Sequence, residues 1–136
     1  RLIGTVRYLN IDTQEQVIQE MEKVIKGICT SYECSYTFNY EKGYPPVLNH
    51  KQEAELILEE SSKLPEVEKA EKIIPVMGGE DFAYYLQAKP GAYFFTGAKK
   101  EGNHYPHHHP HFDFDEKAMP IAAKVLISAY FAYQEK

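Results

Sequence analysis

"NIDTQEQVIQEMEKVIKGI", residues 10–28, decides how the first part of this chain is read. Val17, Ile18, Met21, Val24, Ile25 and Ile28 recur at helical spacing, so one face of the segment is apolar. Asp12, with Glu15 three residues on, resembles a reciprocal capping pair and places the helix start there. On one side lies "LIGTVRYL" (2–9), short and β-rich. On the other lies "CSYTFNY" (34–40), where Cys34, Tyr36, Phe38 and Tyr40 alternate as in a half-buried strand. The expectation is strand, amphipathic helix, strand. Two strands seldom make a stable sheet in water, so the unit reads as half of something larger.

"EKGYPPVLNH" (41–50) stops both kinds of element through Gly43 and the paired prolines, and a domain boundary falls there. Domains at 1–43 and 44–136 follow. Asn49, with Gln52 three residues on, predicts the cap of a helix running to about Ser62. "KIIPVM" (72–77) reads as a short buried strand ending in Gly78-Gly79. "EDFAYYLQA" (80–88) reads as a short helix stopped by Pro90-Gly91, and "AYFFTGA" (92–98) as another apolar strand. "EKAMPIAAKVLISAYFAYQ" (116–134) is a helix apolar on nearly every side, the pattern of burial between layers. Pro120 predicts a short first turn, then a kink or restart near Met119. Helices interleaved with short strands make the expected class α/β.

The bulk numbers narrow the function. A length of 136 residues can bury a core of its own. The net charge is −5, with Lys and Arg scattered, which argues against nucleic acid as a partner. No apolar run approaches the roughly 20 residues a membrane helix needs. Cys29 and Cys34 read as reduced, buried thiols in a reducing, cytoplasmic setting, with a disulfide between them as the minor alternative. The chain opens at Arg1 rather than Met, which leaves room for a removed or missing N-terminal part.

Two stretches carry chemistry. "NHYPHHHPHFDFDE" (103–116) holds His104, His107, His108, His109 and His111, followed by Asp113, Asp115 and Glu116. Imidazole is the commonest metal ligand, so this loop is a candidate metal site. In an extended stretch His107 and His109 would share a side while His108 faces the other, and spacing alone leaves open which side holds an ion. The plainer reading is a solvated loop whose imidazoles cap backbone groups. The three carboxylates sit where a helix N-terminus favours negative charge, so capping is their first role. "VMGGEDFAYY" (76–85) is the second stretch. Its glycine pair allows a ligand close to the backbone, while Glu80 and Asp81 open a helix and have capping as their plain role.

Taken in order, these blocks resemble the metal-dependent amidohydrolases that include hippurate hydrolase, N-acyl-amino-acid amidohydrolases, aminoacylases and the plant auxin-conjugate hydrolases. "GTVRYLN" (4–10) is similar to a strand of that family's lid, or dimerisation, domain. "VMGGEDFAYYLQAKPGAYFFTGA" (76–98) and "YPHHHPHFDFDEKAMPIAAKVL" (105–126) are similar to its core motif and to its metal-proximal loop with the last helix. The turn after the first helix usually offers Gly, where this chain has Glu33.

The resemblance implies the C-terminal part of a two-domain enzyme: half of a ferredoxin-like lid, then the final helices and strands of an α/β catalytic domain. It implies hydrolysis of the amide in N-acyl amino acids by metal-activated water, with zinc or manganese, one or two ions, and a homodimer formed through the lid. By that likeness His108 is the metal ligand, and His107, His109 and His111 are outer or solvent groups. Arg7 would hold the substrate carboxylate, and Gly79, Glu80 and Asp81 would line the substrate side. The family's remaining ligands and its glutamate base have no counterpart here, so no catalytic residue is assigned and the chain alone is expected to be inactive. The rival reading is a stand-alone, non-enzymatic module that binds metal, or a partner, through several histidines at once.

Overall fold

The computed structural model describes residues 1–135. It contains four helices: α1 (Ile11–Ser31), α2 (Lys51–Ser62), α3 (Phe82–Ala88) and α4 (Ala118–Gln134). No strand occurs among the described residues, so the α/β expectation, half-lid included, is corrected. Segments 2–9, 34–40, 72–77 and 92–98 carry the side-chain pattern of strands but form no ladder. Alternation reports that a segment could bury one face. A strand exists only where neighbouring backbone takes up its N–H and C=O groups. Near these segments the tertiary backbone bonds are single ones, such as His50 N to Gly91 O at 3.0 Å and Asp115 N to Ala98 O at 2.9 Å.

Two compact units result. One joins residues 1–48 with 74–89 and holds α1 and α3. The other joins 49–73 with the chain from Pro90 onward and holds α2 and α4.

In the first unit α1 starts one residue before the expected cap. Asn10 is the cap: its backbone is extended and its Oδ1 accepts the Asp12 N–H at 2.9 Å. A short amide side chain on extended backbone meets an orphan donor of the first turn, which leaves Asp12 inside the helix. Glu15 is ion-paired with Lys42. Of the apolar face, Val17, Ile18 and Ile25 are half-buried, whereas Met21, Val24 and Ile28 are exposed. The helix ends in a Schellman arrangement. Glu33 N bonds Thr30 O at 3.3 Å, and Cys34 N bonds Cys29 O at 2.9 Å. Glu33 takes the left-handed conformation this motif requires, with φ 52°. Here the chain has Glu at the position where the resemblance leads one to expect Gly. The cysteines are free; Cys29 is half-buried and Cys34 exposed, so the expectation of two buried thiols fails for Cys34.

In the second unit α2 and α4 pack together, burying Leu56 of α2 with Val125 and Ala129 of α4. Full burial of Leu or Val contributes about 1.5–3 kcal/mol each. Ser128 Oγ donates to Glu60 Oε2 at 2.7 Å, and Lys63 Nζ to Glu60 Oε1 at 2.6 Å, so the buried carboxylate is satisfied. Lys124 adds an ion pair to Glu66. The helix α4 runs unbroken from Ala118, with Pro120 in its first turn, where a missing N–H removes no intrahelical bond. No kink is needed. Its expected all-round burial is not found: Met119, Leu126, Ile127, Tyr130, Phe131 and Tyr133 are exposed.

Candidate functional site

Arg7, Gly79, Glu80 and Asp81 lie in the first unit and His108 in the second. In the first unit Arg7 Nη1 donates to the Met77 carbonyl at 3.0 Å. That bond sets the exposed guanidinium against the backbone that leads directly into Gly78-Gly79. Among the described residues Arg7 has no carboxylate partner. A guanidinium carries five N–H donors in a planar fork and pairs well with both oxygens of a carboxylate. A Cβ on Gly79 would meet the Tyr44 ring at 3.5 Å, an ordinary contact, so space alone does not demand glycine there. Tyr44 is itself placed by an edge-to-face contact with Tyr84, ring centroids 6.0 Å apart.

Glu80 Oε1 accepts the Phe82 N–H at 3.2 Å, the capping role that its position at a helix start suggests. Asp81, the residue next to α3, makes no side-chain cap bond and is exposed.

In the second unit the histidine loop is not extended. His109 N bonds Pro106 O at 3.2 Å, closing a turn with His107 and His108 at its corners. His108 has φ 67°, the geometry of the third residue of a type II turn, where Gly or Asn is usual. The alternation of sides expected of an extended stretch therefore does not apply to it. Phe112 N to His109 O at 2.9 Å closes a second turn over Pro110. Asn103 holds both turns together: its Oδ1 accepts the Tyr105 N–H at 2.9 Å, and its Nδ2 donates to His111 O at 3.2 Å.

The imidazoles differ in what they have left to offer. His109 stacks on Tyr105, centroids 4.2 Å apart, and its Nδ1 accepts the His111 N–H at 3.1 Å. With Nδ1 accepting, the neutral ring carries its proton on Nε2 and has no lone pair free for an ion. His107 packs edge-on against Phe112, centroids 4.8 Å apart, and His111 is tilted against Tyr105. His108 is exposed, with no ring contact, hydrogen bond or ion pair among the described residues.

The carboxylates behind the loop serve structure. Asp113 pairs with Lys100, and its own Oδ1 accepts the Phe114 N–H at 2.9 Å. The Lys100 ammonium holds the Asp113 carboxyl below the usual range, and Asp113 in turn raises Lys100. Asp115 Oδ1 accepts the Lys117 N–H at 3.0 Å, satisfying a donor just ahead of α4. An open cleft of about 480 Å³ lies beside the loop, lined by Lys100, His104, Tyr105, His107 and Asp113 among others. Lys100 and Tyr105 were not singled out in the sequence. Tyr105 stands inside the quoted loop, but Lys100 gives no local signal, because its place is set by Asp113 thirteen residues on.

No group of three His, Cys, Asp or Glu side chains among the described residues could hold a metal ion. His104 and His108 both carry imidazoles with no bond or ring contact among the described residues, and neither stands in a complete ligand set.

The chain matches peptidase family M20/M25/M40 over residues 4–131. It belongs to that family. It is 45% identical, over 98% of its length, to a Bacillus subtilis protein named as an amidohydrolase, YhaA. It is 36% identical over the same share to an N-acetyldiaminopimelate deacetylase of Bacillus pumilus. A crystal structure of a protein from methicillin-resistant Staphylococcus aureus, described as an aminohydrolase, superposes with a TM-score of 0.76 at 31% identity. That match covers 90% of this chain and 32% of the other. The chain spans about a third of the length of the curated relatives it matches, 34% in both cases. The likeness to amidohydrolases read from the motifs is upheld at family level. No helix among the described residues is long and apolar enough to cross a membrane.

Proposed function

We propose that this chain supplies the carboxylate-reading and one metal-ligating part of a metal-dependent M20 hydrolase that cleaves the amide of N-acyl amino acids or related conjugates. The observation that carries this reading is the Arg7 guanidinium, anchored on the Met77 carbonyl beside Gly78-Gly79 with no carboxylate partner among the described residues. A substrate bearing a free carboxylate answers that fork. His108 contributes one neutral imidazole to a zinc or manganese ion, and Gly79, Glu80 and Asp81 line the substrate side. When bound, the ion supplies polarisation of the scissile carbonyl and a water of lowered pKa. A catalytic ion needs about three protein ligands and a base, and residues outside this chain provide the remainder. That division is supported by its match to only a third of its relatives. The 136 residues alone are therefore inactive. The enzyme works as a cytoplasmic homodimer joined through the α1 unit, whose exposed Met21, Val24 and Ile28 favour a partner.

The test uses the full-length enzyme. Arg7→Ala raises KM for substrates with a free carboxylate by roughly ten- to a hundredfold, the loss of a charge-assisted pair of about 1.5–3 kcal/mol. Ester-capped substrates are nearly unaffected. An equal loss on the capped substrate shows that Arg7 does not read the carboxylate. The rival, a stand-alone histidine module, needs several imidazoles around one ion, and no group of three His, Cys, Asp or Glu side chains among the described residues is placed to hold one.

A further inference from the structure

Cys29 and Cys34 occupy the two ends of the long hydrogen bond in the Schellman turn that closes α1. In this motif the residue two past the cap bonds back to the third residue before it, and the two side chains come into contact. Here that backbone bond is Cys34 N to Cys29 O, 2.9 Å, and the contacting pair is a pair of thiols. Apolar side chains are the usual occupants of these positions. Two cysteines satisfy the packing need equally, since a free thiol behaves as a small hydrophobe, but they add redox chemistry.

Three features favour that chemistry. The left-handed Glu33, φ 52°, folds the chain back so that Cys34 returns onto the last turn of the helix. Cys34 is exposed and Cys29 half-buried, so Cys34 is the more open of the two to reagents. The thiols are within hydrogen-bonding reach of each other, and this bond, with desolvation second, raises Cys29 above the ordinary thiol range, which leaves the first attack to Cys34. Exposure makes Cys34 the attacking sulfur and leaves Cys29 to resolve.

We infer that Cys29 and Cys34 form a reversible disulfide with each other by exchange with small-molecule disulfides of the glutathione type, locking the C-terminal turn of α1. The Cys34 thiolate attacks one sulfur of the small disulfide, whose S–S bond breaks and releases one thiolate. Cys29 gives up its proton to water, attacks the Cys34 sulfur and expels the second thiolate. The protein loses two electrons and two protons, and the small disulfide is reduced to two thiols. Neither cysteine belongs to the proposed hydrolytic site, so this inference stands or falls apart from it.

The experiment equilibrates the enzyme in mixtures of reduced and oxidised glutathione, quenches with acid and digests with trypsin. The peptide from Gly27 to Lys42 contains both cysteines, so one species reports the pair. As the mixture becomes more oxidising, that peptide loses two hydrogens in mass and both thiols together, with no glutathione attached. Cys29→Ser instead accumulates a glutathione adduct on Cys34. Should that variant not fold, amide exchange in the unsubstituted protein serves: the Cys34 N–H exchanges more slowly in oxidised than in reduced protein. A peptide that stops at the glutathione adduct, or keeps both thiols in fully oxidised glutathione, overturns the inference. So does a Cys34 N–H whose exchange is the same in both forms.

Discussion

Ser128 of α4 donates to the buried Glu60 carboxylate of α2 at 2.7 Å, and Lys63 takes the other oxygen at 2.6 Å. One carboxylate thus bonds a neighbouring helix and its own helix at once. Glu60→Ala is expected to destabilise the α2–α4 pair by about 1.5–3 kcal/mol, the range for hydrogen bonds to a charged group. Ser128→Ala is expected to cost less, about 1 kcal/mol, because Lys63 still satisfies the charge. Urea unfolding of both single variants and the double variant measures the coupling; strict additivity would show that the bond contributes nothing across the helices.

Glu33 is held at φ 52° by the Schellman turn after α1. The left-handed conformation costs a non-glycine residue roughly 1–2 kcal/mol. Glycine there loses more unfolded-state entropy, which offsets about 0.4–1 kcal/mol. The conformational term wins, so Glu33→Gly is expected to stabilise by about 0.5–1 kcal/mol. Glu33→Val, β-branched, is expected to destabilise. Denaturant midpoints at constant slope decide the sign for each.

Lys100 and Asp113 shift each other's titration. Asp113 is depressed, so its contribution to stability is present above the unfolded carboxylate value and fades as pH falls through the folded one. Lys100 is raised, so its contribution is complete below the unfolded lysine value and fades as pH rises through the folded one. The pair therefore supports the loop between the two limbs, weakly, since both side chains are about half exposed. Asp113→Asn should flatten the acid and alkaline limbs of a stability–pH profile, with a smaller effect in high salt. Unchanged limbs at low salt would show the pair to be idle.

His108 and His109 are adjacent but chemically unequal. His109 spends Nδ1 on the His111 N–H, whereas His108 has both nitrogens uncommitted among the described residues. In the full-length enzyme His108→Ala is expected to lower bound metal and activity together, while His109→Phe keeps the stacking on Tyr105 and most of the metal. Metal analysis beside kinetics reads this directly. Equal metal loss in both variants would favour a shared multi-histidine site.

Much of the helical skeleton was legible in the sequence, because a helix satisfies its backbone within one segment. Val17 to Ile28 at helical spacing, the proline and glycine after Ala88, and the apolar run from Ala118 each mark a helix that the structure contains. The motif order from Gly78 to Leu126 was enough to point to the family. What depended on a second segment was not legible. Residues 2–9, 34–40, 72–77 and 92–98 have strand composition, yet pairing is a property of two backbones, and none of these segments is laddered here. Asn49 reads as a helix cap, but its side chain accepts the Tyr93 N–H and donates to the Tyr93 carbonyl, 44 residues away. Asp113 reads as a cap and is taken by Lys100. Local periodicity reaches only a few residues along the chain. Which imidazole is engaged, which carboxylate is spent, and where Arg7 is anchored are decided by contacts that only tertiary folding creates.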